Sequence, residues 1–160
     1  MLEIHLICVG KLKEKHYIDA CSEYQKRMGA YCKLKITELP EVKRPADASP
    51  AQTAAAVAKE AETVRAAMGK GETLIVMTPE GQLLSSEQLS ATLEKFALTG
   101  SSKLCFLIGG SDGIDPSLKK EAAAKISMSP MTFPHHLARV MLLEQLYRAQ
   151  SISAGSKYHK

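Results

Sequence analysis

KLCFLIGGSDGIDPSLK, residues 103–119, sets an apolar run, a glycine-bearing loop and a proline-started polar segment in immediate succession. KLCFLIGG, 103–110, reads as a strand, and the absence of a polar side chain from Leu104 to Ile108 suits a strand of a sheet covered on both faces. Gly109, Gly110 and Gly113 then let the backbone turn tightly or approach a ligand closely, and Pro116 with Ser117 opens a helix to about Lys125. A buried strand that runs through a glycine loop into a helix is the repeating unit of a parallel sheet.

The same unit recurs upstream. TLIVMT, 73–78, is a continuous apolar strand broken by Pro79 and Gly81, after which Ser85 or Ser86 offers an N-cap for a helix through about Leu98. Residues 2–9 (LEIHLICV) form a first buried strand, and a helix near 14–29 places Tyr17, Cys21, Tyr24 and Met28 at helical spacing. At 33–39, Leu34, Ile36 and Glu38 alternate with Lys33, Lys35 and Thr37, the pattern of an edge strand. A charged, proline-bearing loop precedes an alanine-rich helix from Ala51 to Met68, stopped at Gly69 and Gly71. Downstream, ISMSPMTF reads as a short strand leading into a loop. The expected architecture is α/β, a mainly parallel sheet with helices on both faces in a single domain of residues 1–160, with no internal repeat or linker.

The final stretch, FPHHLARVMLLEQLYRAQSISAGSKYHK at 133–160, is a helix apolar nearly all round. Leu142, Leu143 and Leu146 make one surface, interrupted by Arg139. Leu137, Val140, Met141 and Tyr147 make another, and Glu144 and Arg148 lie one turn apart upon it. Both surfaces call for cover, one from the chain's own core and the other from a second subunit or a ligand pocket. Gly155 is placed to stop the helix before a polar tail.

At 160 residues and 45% hydrophobic composition the chain is long enough to bury roughly 70% of the surface its unfolded form exposes. Cys8, Cys21, Cys32 and Cys105 show no paired spacing and sit among apolar neighbours, which marks them as reduced packing residues rather than metal ligands. No apolar stretch approaches the roughly eighteen residues of a membrane span, and the start lacks a signal-peptide pattern, so a soluble, cytoplasmic chain is expected. The formal charge of +4 is modest, yet Lys11, Lys13 and Lys15 crowd the loop after the first strand, where they are either ordinary solvated lysines or phosphate contacts.

In an open parallel sheet ligands bind beyond the carboxyl ends of the strands, which directs attention to the loops after Val9, Thr78 and Ile108. The glycine loop lacks the dinucleotide spacing, and no phosphate-binding P-loop, nucleophile elbow or paired catalytic carboxylates occur. His135 and His136 follow Pro134 at a helix start, where histidines often serve only as surface or capping groups. His159 stands beside Tyr158 at the extreme C-terminus.

LIGGSDGID, SMSPMTFPHHLARVMLLEQLYRAQSI and the terminal YHK, with the opening ICVGKLKEKHY, EYQKRM and LLSSEQLS, closely resemble the RlmH family of small SPOUT-class methyltransferases over nearly the whole chain. The resemblance implies methylation of N3 of pseudouridine 1915 in helix 69 of 23S rRNA, on the assembled ribosome. It also implies S-adenosyl-L-methionine as cofactor, a homodimer, no metal, and a deep trefoil knot in the C-terminal half. Carried over by position, it assigns the cofactor to Met77, Gly109 and the run Met128, Ser129, Pro130, Met131, Thr132 and Phe133. The sequence departs from the commoner family pattern at Thr78, Pro79 and His136.

Methyl transfer to an imide nitrogen requires removal of the N3 proton, and His159 is the first candidate base because imidazole titrates near about 6.5, with Tyr158 the alternative. Arg139 and Arg148 are candidates for holding phosphate or the reacting base, with Lys11 and His135 on the substrate side. Glu144 either fixes Arg148 for that purpose or pairs with it at a subunit interface. A SPOUT enzyme acting on another RNA such as tRNA, and a non-enzymatic nucleotide- or RNA-binding module, are the competing functions.

Overall fold

Strand β1 (Leu2–Val9) shows how the chain builds its interior. Ile4, Leu6 and Cys8 face one side of it, Ile7 and Val9 the other, and all five are buried. A strand buried on both faces needs helices above and below, each large apolar side chain contributing about 2 kcal/mol on leaving water. The computed structural model describes residues 1–160 and shows this arrangement throughout.

In chain order β1 is followed by α1 (Lys15–Met28), β2 (Cys32–Leu39), α2 (Pro50–Ala67), β3 (Thr73–Leu83), α3 (Ser86–Leu98), β4 (Lys103–Ile108), α4 (Pro116–Glu121), β5 (Ala124–Ser127) and α5 (His135–Ser153). The strands lie in the order β2-β1-β4-β3-β5, and every neighbouring pair is parallel. The lysine-bearing β2 is an edge strand, as its alternation indicated. One face is covered by α1, α3 and α5, whose Cys21, Met28, Leu89, Leu93, Leu142, Leu143 and Leu146 meet Ile4, Leu6, Ile75 and Phe106. The other carries α2 and α4, where Ala61, Val64 and Leu118 meet Ile7, Val76 and Leu107.

Three boundaries differ from the sequence reading, each for a local reason. α2 begins at Pro50 because Ser49 and Gln52 form a reciprocal capping box ahead of it, and the backbone turns extended at Met68. β3 does not break at Pro79 and Gly81 but continues to Leu83, pairing β5 on both sides of a register shift between Met77 and Gln82. A Cβ at Gly81 would lie 2.6 Å from the Ile126 backbone, so the glycine lets the two strands pass closely. α4 ends at Glu121 rather than near Lys125, because the Ala123 N–H donates to the Leu74 carbonyl at 2.8 Å and draws the chain into the sheet as β5.

α5 is packed between α1 and α3. Leu142, Leu143, Leu146 and Ala149 are buried by the chain itself, whereas Leu137, Val140, Met141, Glu144, Tyr147 and Arg148 remain half-buried. The helix ends as expected, Gly155 taking φ +70° just after it. All four cysteines are buried and unpaired, and no helix is long and apolar enough to cross a membrane.

Candidate active site

The carboxyl end of β4 and the start of the register shift in β3 bring Ile108, Met77 and Thr78 together, where the loop after β5 and the start of α5 close over them. Together they form a cleft of about 520 Å³. Met77, Gly109, Met128, Ser129, Pro130, Met131, Thr132 and Phe133 all line it, so the positions named by resemblance surround a single cavity. Ile114, Lys119, Ala138 and Leu142 also line the cleft, and the sequence alone names none of them as a site residue. Ile114 and Leu142 carried no signal beyond that of ordinary core residues.

The glycine loop gives the cleft a floor of bare backbone. Gly113 takes φ +81°, its N–H donates to the Gly110 carbonyl at 3.1 Å, and a Cβ on Gly109 would meet the Gly113 carbonyl oxygen and Ile114 Cγ1 at 2.8 Å. Opposite, the Ser127 hydroxyl donates to the Ser129 carbonyl at 3.1 Å and the Ser129 hydroxyl accepts from the Met131 N–H at 3.0 Å, folding the loop back on itself. Met131 is 73% exposed at the rim.

Little free positive charge faces this cavity. Lys119 is paired with Glu80, whose carboxyl it holds at about 2. His135 lines the cleft and its pKa is lowered, first by burial and then by His136, which favours the neutral ring. His136 is itself turned away, its Nδ1 3.2 Å from Glu14. Apolar side chains, backbone amides and carbonyls, and a neutral imidazole suit an adenosyl group carrying a sulfonium.

Arg139 does not reach toward a substrate. It is 4% exposed, donates to Glu38 at 2.6 Å and to the Gly10 carbonyl at 3.1 Å, and so joins α5 to β2 and to the loop after β1. Glu38 also accepts from the Leu12 N–H at 2.8 Å, which anchors the basic loop from within. Lys11 stays exposed beside it. The expectation that Arg139 presents its charge to RNA is corrected accordingly: the guanidinium is buried and already paired with Glu38 and the Gly10 carbonyl.

The C-terminal tail folds back over α5 rather than into the cleft. Tyr158 donates to Glu144 at 3.1 Å, its ring lies 4.7 Å from that of Tyr147, and the Arg148 guanidinium stacks 4.8 Å above it. Arg148 donates to Glu144 at 2.9 Å and to His159 Nδ1 at 3.2 Å. An arginine only donates, so Nδ1 is the acceptor and the Nε2 proton points at Glu87, 2.7 Å away. Burial, then the Glu144 charge, raises the Tyr158 pKa and keeps the phenol protonated.

Glu144 also borders a second groove, of about 540 Å³, which shares Met77, Ser127, Met128 and Leu142 with the cleft. Glu144, which holds Arg148 and Tyr158, thus lies across a shared wall from the cleft, while within one chain neither Arg148, Tyr158 nor His159 lines the cleft.

His5, Glu72 and Cys105, far apart in sequence, also converge, with ligand-type atoms all within 4.8 Å of one another. Their needs are already met: His5 bonds Glu72 at 3.0 Å and Thr37 at 2.8 Å, and burial pushes the Cys105 thiol up to about 12.

A family model described as "Predicted SPOUT methyltransferase" matches residues 2–159. The chain belongs to the SPOUT methyltransferase family. Within the family it is similar to ribosomal RNA large subunit methyltransferase H of Bifidobacterium adolescentis, 46% identical over 159 residues, covering 99% of this chain and 100% of that one. The protein of the same name from Leuconostoc mesenteroides is 43% identical with the same coverage. A probable methylase family protein from Haemophilus influenzae Rd KW20 superposes with a TM-score of 0.55 over 100% of this chain and 72% of its own. At 12% identity that likeness bears on the SPOUT fold alone.

Proposed function

We propose that this SPOUT protein is an S-adenosyl-L-methionine-dependent methyltransferase acting on N3 of pseudouridine 1915 in helix 69 of 23S rRNA within the assembled ribosome. The supporting observation is a strand-end cleft, lined by Met77, Gly109 and residues 128–133, in a chain 46% identical over its length to a ribosomal RNA methyltransferase. The same membership supports a cytoplasmic homodimer and a trefoil knot in the C-terminal half. The half-buried stripe on α5 agrees with a second copy covering it.

Bound S-adenosylmethionine would supply an electrophilic methyl group on a sulfonium. The chain's residues would do the rest. Gly109 and the 128–133 loop offer backbone groups and apolar walls for the adenosyl moiety, and Met128, Pro130 and Phe133 exclude water from it. Burial disfavours a charged His135, and Glu80 neutralises Lys119, which limits the positive charge that would repel a sulfonium.

His159 is the proton acceptor in this account. Glu87 holds its Nε2 proton, which leaves the Nδ1 lone pair to take the proton from N3 once Arg148 yields its place. Arg148 then faces the negative charge left on the base. A two-fold interface over the α5 stripe puts each tail at the seam between copies, beside the wall shared by the two grooves. Lys11, exposed at the same end of the sheet as the cleft, serves phosphate attraction.

Calorimetric titration with S-adenosylmethionine tests the cofactor assignment. Saturable binding with no response to ATP or NAD is expected, whereas a nucleotide-binding module would show the reverse.

A further inference from the structure

The first half of the segment between β2 and α2 is fastened by charge to α2 on one side and to the glycine loop on the other. Glu60 on α2 is 4% exposed, yet its carboxylate accepts from the Val42 N–H at 2.8 Å and from Arg44 Nη2 at 2.8 Å. The other nitrogen of the same guanidinium donates to Asp112 at 2.6 Å, and the Arg44 Nε to the Val42 carbonyl at 3.1 Å. Glu41, three residues earlier, accepts from both the Ser111 N–H at 3.0 Å and the Ser111 hydroxyl at 2.5 Å. The approach is close enough that a Cβ on Gly110 would lie 2.7 Å from the Glu41 carboxylate.

Ser111 and Asp112 belong to the glycine loop, and Gly109, Gly110, Ser111 and Gly113 line the cleft. That loop has few side chains of its own to hold it. Glycines lose the most backbone freedom when ordered, so a floor built from them needs fixing from outside. We propose that Arg44 and Glu41 are positioning residues for the cofactor cleft: residues 41–46 act as a strap, anchored on buried Glu60, that holds the glycine loop in its binding geometry. The inference rests on reading the cleft as the S-adenosylmethionine site. It adds residues that lie outside that site and touch no ligand.

The test uses the full-length protein, with S-adenosylmethionine titrated calorimetrically and ribosome methylation followed at steady state. Glu41→Ala combined with Asp112→Ala removes the acceptors that fasten the loop while leaving Arg44 against Glu60, so the fold is kept. The expected result is a rise of roughly tenfold or more in Kd and in KM for the cofactor, with kcat at saturating cofactor and KM for ribosomes unchanged.

Arg44→Gln adds a loss of thermal stability by stranding Glu60. Arg44→Lys restores charge beside Glu60, and with it the melting temperature, but cannot span three acceptors at once, so cofactor affinity stays low. Wild-type cofactor affinity in the doubly detached variant would overturn the inference, as would an affinity loss that tracks melting temperature across all three variants. Absence of binding to the wild-type chain would overturn the cofactor reading and the strap with it.

Discussion

Arg139 of α5 donates to Glu38 of β2 across 2.6 Å, and these two residues, 101 positions apart, join the last helix to the edge strand. Arg139 is buried while Glu38 keeps about a third of its side chain exposed, so the pair sits at the boundary of the core. Removing Arg139 leaves Glu38 with the Leu12 N–H alone and takes the side-chain donor from the Gly10 carbonyl. Arg139→Ala is expected to cost about 2 kcal/mol, less than a fully buried pair, measured by urea unfolding at pH 7. Lost methylation with unchanged stability would instead place Arg139 in contact with substrate.

The same pair predicts acid lability. Burial raises the Glu38 pKa, but the bonds from Arg139 and Leu12 outweigh it, and the folded value lies below the ordinary 4.5. A carboxyl depressed in the folded state stabilises fully above its unfolded pKa and loses that contribution as pH falls through the folded one. Stability therefore drops below about pH 4.5, and Arg139→Ala flattens the drop. An unaltered pH dependence in the variant would contradict the assignment.

Gly109 and Gly81 separate cleft from sheet. Gly109→Ala sets a methyl 2.8 Å from Ile114 and the Gly113 carbonyl oxygen, and is expected to weaken S-adenosylmethionine binding at least tenfold, about 1.4 kcal/mol. Gly81→Ala forces β3 from the Ile126 backbone and should cost about 3 kcal/mol of stability. Calorimetry and thermal unfolding of both variants check the contrast, which fails if the two behave alike.

The strands were legible because a parallel sheet buried on both faces demands continuous apolar runs, and β1 agreed with its run to the residue. β3 was not legible past Thr78, since Pro79 and Gly81 look like a break until the register shift opposite β5 is seen. The cleft walls at Met77, Gly109 and 128–133 came from the family resemblance rather than from periodicity. Arg139 misled because a charge on an apolar helix face looks functional. Its partner lies in a strand that helical spacing cannot name.

The proposed role of the tail predicts that chemistry and binding can be separated. Deleting residues 158–160 is expected to abolish methyl transfer while leaving S-adenosylmethionine affinity unchanged, because none of the three lines the cleft. Glu87→Gln, which keeps a partner for His159 but removes its charge, should lower kcat by roughly tenfold with little change in KM. Lost cofactor affinity in the truncation would instead make the tail part of the pocket.

The half-buried stripe of α5 predicts self-association. Sedimentation of the wild-type chain should give twice the mass of one subunit, and Met141→Glu, which sets a charge in the middle of the stripe, should shift it toward monomer. A wild-type monomer at micromolar concentration would contradict the homodimer.

Methylation of ribosomes from a strain lacking the endogenous activity, followed by mass spectrometry of helix 69, bears most directly on the whole account. A methyl-sized mass gain on the pseudouridine, dependent on S-adenosylmethionine and absent from the chain lacking residues 158–160, is the predicted result. No gain on that nucleotide, with methyl appearing on tRNA instead, would contradict it.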